Sequence, residues 1–131
     1  MEPSREQLFE DYETTIVLAQ HPHLGWVDPG PVAAMTRRSA VVMTAWNPGH
    51  ERPTEVQNRE ANTRLGRELE DTGFEVWRAD GSAPDGTWRE EGWIIWDMLV
   101  DQGLDIASRY QQYAIYGYDE DGRRVTIACP S

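Results

Sequence analysis

The residue best placed to do chemistry is Glu90, set in Trp88-Arg-Glu-Glu-Gly-Trp93. On a strand, alternate side chains share a face, so Trp88, Glu90, Ile94 and Trp96 point one way and Arg89, Glu91, Trp93 and Ile95 the other. A carboxyl held among indoles loses hydration, its pKa rises, and it becomes suited to passing a proton near neutral pH. Pairing with an arginine, Arg64 or Arg109 for example, would lower the pKa instead and make Glu90 structural. Both readings stay open at this level. Three amides extend the set: Asn47 in the turn Asn47-Pro-Gly49, Asn58 within a helix, and Gln112 just after another. Asn58 falls at the centre of a stripe defined by Ala61, Leu65, Leu69 and Thr72. An unpaired buried amide costs about 1–3 kcal/mol, so Asn58 either ties down the loop after Trp46 or recognises a ligand.

The elements that must hold these residues follow from pattern and punctuation. Residues 4–12 read as a short helix with a Ser4/Gln7 capping box, 14–19 as a β-branched strand, and 21–31 as a Pro/Gly loop. The continuous apolar run 40–46 is a buried strand. Thr54 and Gln57 make a capping box, and Gly73 closes the helix they open, about 55–71. Strands at 74–79 and 88–96 form a hairpin, helical spacing runs from Leu99 to Gln111, and strands at 113–118 and 124–128 flank Asp119-Glu-Asp-Gly122. The expectation is one α+β domain over residues 1–131, with two helices on one face of a mainly antiparallel sheet. From Ala40 the order is split-βαβ (ferredoxin-like), with an extra strand at the N-terminal and C-terminal ends. In that topology Asn47, Asn58, Glu90 and Gln112 converge at one end of the sheet.

Composition narrows the chemistry. A chain of 131 residues with 39% hydrophobic residues, six Trp and five Tyr among them, can bury a core. No apolar run nears the roughly 20 residues that cross a bilayer, and the charged N-terminus predicts no signal peptide. One cysteine, Cys129, excludes an internal disulfide and multi-cysteine metal sites, which predicts the reducing cytoplasm. The net charge of −11 repels phosphate backbones, so neither nucleic acid nor a membrane is an expected partner. All 12 basic residues are arginine, which rules out lysine Schiff bases and a P-loop lysine. The three histidines lie in loop sequence and there is no dinucleotide fingerprint, so no metal and no cofactor is expected.

Thr44-Ala-Trp-Asn-Pro48, Asn58, Trp88-x-Glu90 and Gln112-x-Ala114 together resemble the bacterial domain-of-unknown-function family 3293, over about residues 12–118. The chain departs from that family's pattern at Gln57, where the family has Glu, and at Tyr113, where it has Asn. An amide role is therefore not carried over to position 113. The resemblance implies a compact bacterial domain and treats the four motifs as a unit, but it supplies no reaction.

Two functional readings result. The first is a small polar-metabolite site, either binding only or catalysing cofactor-independent acid–base chemistry. Glu90 would move the proton, Asn47, Asn58 and Gln112 would orient the substrate, and Trp46, Trp88 and Tyr113 would exclude water. His50 or Arg52 would meet an anionic group near a helix N-terminus. The second is an acidic protein-interaction module of accessory, immunity or antitoxin type without catalysis, presenting its charge to a basic protein partner. A concave pocket around Glu90 favours the first, and a salt-bridged Glu90 on a flat acidic face the second.

Overall fold

The computed structural model describes residues 5–49 and 51–130. Its elements are α1 (Arg5–Thr14), β1 (Ile16–His21), β2 (Gly25–Val27), α2 (Pro29–Thr36), β3 (Ala40–Met43), α3 (Glu55–Asp71), β4 (Val76–Ser82), β5 (Arg89–Trp96), α4 (Val100–Arg109), β6 (Ala114–Tyr118) and β7 (Arg124–Ala128). The fold is α+β. All seven strands join one antiparallel sheet in the order β2-β1-β4-β5-β3-β6-β7. The 40-onward strand is therefore central, paired with β5 on one side and β6 on the other.

Two expectations need correction. The described residues hold four helices, one more than the three the sequence marks, and they lie on both faces of the sheet rather than one; there are two strands rather than one before β3. The stretch 21–31 hides them because Pro and Gly here start elements instead of interrupting them. Asp28 caps α2 by accepting from the Gly30 amide at 2.9 Å, and Pro29 occupies the first helical position, where its missing N–H costs nothing. Just upstream, His21 Nδ1 accepts from the amides of His23 and Leu24 at 3.0 and 3.2 Å, and that turn folds β2 back on β1. The Ser4/Gln7 capping box lies outside the described residues.

The extra helices cover the second face of the sheet. On one face α3 and α4 bury Leu65, Leu69, Ile106 and Ala107 against Val41, Met43, Ile95 and Ile115. Tyr110 joins that cluster only partly buried, and Thr72 is exposed. On the other face Val17, Ala19, Val42, Ala79, Ile94, Trp96, Tyr116 and Tyr118 pack with Ala33 of α2, and Tyr12 of α1 joins them. The sheet curls over this second cluster enough to bring β7 to the end of α1. Arg124 of β7 donates to the carbonyls of Thr15 at 2.7 Å and Glu13 at 2.9 Å, and its guanidinium lies 4.8 Å from the centre of the Tyr116 ring.

Candidate functional site

The expected strand through Trp46 stops at Met43, and the reason lies in the amides that follow. Their partners are side chains rather than a neighbouring strand. Thr44 Oγ1 donates to the Glu91 carbonyl at 2.5 Å and accepts from the Trp46 amide at 3.0 Å. The Ala45 amide donates to Asn62 Oδ1 at 3.3 Å, and the Asn47 amide to Asn58 Oδ1 at 2.9 Å. Asn58 and Asn62 stand one turn apart on the buried face of α3, so the helix serves as a template for the loop. The helix is fixed by the expected box: the Gln57 amide donates to Thr54 Oγ1 at 3.1 Å, and the Thr54 amide to Gln57 Oε1 at 2.9 Å.

Asn47 is held in an unusual conformation. Its φ is +46°, left-handed, and the next residue is Pro48, which further restricts it. Such a residue costs on the order of 1–3 kcal/mol and persists only where its surroundings insist. Asn58 insists twice, because its Nδ2 also donates to Asn47 Oδ1 at 3.0 Å. Asn58 is 2% exposed and does not line the cavity described next. Of its two expected roles, the geometry gives it the tie to the loop. Asn58→Ala should lower unfolding free energy by about 1–3 kcal/mol, measured by denaturant titration, because it strands an amide and releases a strained residue. An unchanged midpoint would remove the clamp from this account.

With Asn47 Oδ1 occupied by Asn58, its amide nitrogen is left to bond the Glu90 carboxyl. Glu90 opens onto a cavity of about 310 Å³ between the sheet and α1. The room comes from sequence. Across the sheet, Val17, Gly81 and Glu90 form one row and Ala19, Ala79 and Gly92 the next, so the floor beside the carboxyl is built from the smallest residues. Gly92 cannot be enlarged, since a Cβ there would sit 2.6 Å from the Met43 carbonyl oxygen. Tyr12 and Thr15 line it from above, Tyr116 and Val42 from the sheet, and Trp46, Asn47, Arg52, Trp88, Gln112 and Tyr113 from the ends of the strands.

Of the four residues expected to converge at one end of the sheet, Asn47, Glu90 and Gln112 line this cavity and Asn58 holds Asn47 from outside it; Trp46, Arg52, Trp88 and Tyr113 line it as well. It opens on the face opposite α3 and α4, under α1, the helix expected at 4–12. His50 lies outside the described residues. Gln112 is chiefly an anchor: its Nε2 donates to the carbonyls of Trp46 and Tyr110, both at 3.2 Å. Sequence reasoning missed Tyr12, Thr15, Asn62 and Tyr116, and it named Thr44 only as part of a motif. Asn62 alone carried a local signal, an amide four residues beyond Asn58 on the same helical stripe.

Electrostatics separates the two adjacent glutamates. Glu91, on the α3 face, pairs with Arg78 at 3.1 Å and Arg59 at 3.3 Å. Glu90 takes part in no ion pair among the described residues; Arg109 pairs with Glu68 on the far face instead. Burial pushes the Glu90 carboxyl from 4.5 up to about 7, against the smaller opposing pull of Arg52 and the Asn47 hydrogen bond. Burial also raises Tyr116 to about 12 and Tyr12 well above the ordinary phenol range, with Glu90 adding to both. Their rings meet edge to face at 5.6 Å, and the Tyr116 hydroxyl donates to the Tyr12 carbonyl at 2.7 Å. Both phenols are thus neutral, fixed walls around one titratable acid.

Taken together, these features define an α+β domain whose curled antiparallel sheet holds the half-buried carboxyl of Glu90 in an aromatic-walled cavity. The chain belongs to the family described as Protein of unknown function (DUF3293), whose model matches residues 43–115. The match takes in Thr44, Trp46, Asn47, Asn58, Trp88, Glu90 and Gln112 and leaves out Tyr12 and Tyr116. No curated protein and no solved structure matches the chain significantly.

Proposed function

We propose that the cavity binds a small polar metabolite and that Glu90 exchanges a proton with it, without a cofactor. The observation behind this is a half-buried carboxyl whose pKa is pushed up to about 7, facing an open cavity and outside the ion pairs that engage Glu91. A general acid or base is most effective when its pKa lies near the working pH. Asn47 holds the carboxyl's orientation, Trp46, Trp88 and Tyr113 limit water, and Arg52 stands at the mouth, its charge reaching Glu90. Concavity at Glu90 supports this reading over an acidic interaction module.

The ferredoxin-like reading of the fold is supported by the strand order β4-β5-β3-β6, with α3 joining β3 to β4 and α4 joining β5 to β6. No described helix is long and apolar enough to cross a membrane, in keeping with the proposed place in a bacterial cytoplasm.

Glu90→Gln is the decisive variant, being nearly isosteric and still able to bond Asn47. In a host that depends on the protein, with folded levels matched, flux through the affected metabolite pool should fall by roughly 10² or more. Wild-type flux with Glu90→Gln would end the proton-transfer reading.

A further inference from the structure

The cavity's charges and walls say more about its occupant than that it is small and polar. Glu90 is the acid seated deep in it, with Asp11 of α1 at the exposed edge. The basic group among the described lining residues is Arg52, which is exposed at the mouth and donates to the Glu51 carbonyl at 2.7 Å. The remaining titratable walls are phenols, Tyr12 and Tyr116 beside Glu90 and Tyr113 at the rim. Five aromatic side chains, Tyr12, Trp46, Trp88, Tyr113 and Tyr116, therefore line the cavity that Glu90 opens onto.

We infer that the occupant is a small organic cation, an ammonium or guanidinium group on an apolar body, with its charged head against Glu90 and its body among these rings. This rests on the reading that the cavity is a metabolite site. Three properties of the molecule favour a cation over an anion. Ring faces carry negative potential and attract cations, more strongly when water is excluded. A chain with a net charge of −11 concentrates cations around itself and repels anions before any contact is made. An anion placed against Glu90 would meet its carboxylate, whereas a cationic head there is attracted to it, with Arg52, whose charge also reaches Glu90, as the opposing group among the described lining residues. The volume of about 310 Å³ lies at the small end of ligand pockets, the scale of an amino-acid-sized molecule.

A bound cation also favours the ionised carboxyl, so binding and deprotonation of Glu90 are linked. Affinity for a cation should rise as pH increases through about 7, where the free carboxyl titrates. A neutral isostere has no such dependence on this group.

Benzylamine, benzyl alcohol and benzoate, matched in shape and different in charge, provide the probes. Binding is followed by NMR through the indole N–H signals of Trp46 and Trp88, at about pH 6 and about pH 8.5, in wild type and Glu90→Gln. Benzylamine should bind roughly tenfold or more tighter than benzyl alcohol at the higher pH, with the gap narrowing at the lower pH and closing in Glu90→Gln. Benzyl alcohol or benzoate binding as tightly as benzylamine would overturn the inference and leave a metabolite site standing. Amine selectivity that survives in Glu90→Gln would also overturn it, by moving the charge recognition to Asp11. No response to any probe at tens of millimolar would sink both this inference and the binding site it rests on.

Discussion

Glu90→Gln should make the protein more stable than wild type above pH 7, and the advantage should vanish as the pH falls towards the ordinary carboxylate range. In the folded chain burial raises the Glu90 carboxyl from 4.5 to about 7, so between those values the native state holds a proton that the unfolded state has released. Wherever the native state binds more protons, stability falls with rising pH. The contribution of protonated Glu90 is complete below about 4.5 and lost as pH passes 7. The full swing is at most about 3 kcal/mol, since each unit of displacement is worth about 1.4 kcal/mol. Glutamine keeps the shape and the bond to Asn47 but does not titrate. Denaturant unfolding of both proteins across this range should show a difference that grows with pH and then levels off. A difference that stays flat would mean that Glu90 ionises freely, and the proton-transfer reading would lose its basis. A gain in stability on removing a functional acid is the usual sign that the site is kept strained for use.

Much of this arrangement is visible in one dimension, and what is hidden has a common cause. The helix 55–71 is plain because its capping box, apolar stripe and closing glycine are all local signals. The convergence of Asn47, Glu90 and Gln112 also follows, since hairpin adjacency and right-handed crossovers leave few ways to arrange these strands. The roof of the cavity does not follow. Tyr12 and Tyr116 meet across 104 residues, and no spacing rule links them. The early end of β3 was hidden because T-A-W reads as strand, while the partners of its amides, Asn58 and Asn62, belong to another element. The helix at Pro29 is hidden because Pro and Gly read as breaks, although a preceding aspartate turns the same residues into a helix start. Local chemistry was legible, and contacts that depend on how far the sheet curls were not.

That curl can be tested at Gly122, in the hairpin between β6 and β7. Its φ is +85°, and a Cβ there would run into the Gly30 carbonyl oxygen at the start of α2, with the Gly30 carbonyl carbon 3.0 Å away. Both obstacles are backbone, and Gly30 is itself fixed by the Asp28 cap, so neither side can give way cheaply. The contact joins the β6–β7 hairpin to the α2 segment, close to where Arg124 straps the end of α1 over the cavity. Gly122→Ala should therefore cost about 3 kcal/mol or more, combining the left-handed penalty of about 1–2 kcal/mol with overpacking of about 1–3 kcal/mol. Gly86 supplies the control. It has a similar φ of +77° with nothing within 4 Å of a Cβ, so Gly86→Ala should show the backbone penalty alone. Urea unfolding of the two variants at low temperature separates the terms. In any Gly122→Ala protein that still folds, loosening the strap should also weaken protection of the Tyr12 and Thr15 amides against hydrogen exchange. If Gly122→Ala proves no worse than Gly86→Ala, the β6–β7 hairpin is not pressed against α2 there, and the roof over the cavity is held by Arg124 and the aromatic pair of Tyr12 and Tyr116 alone.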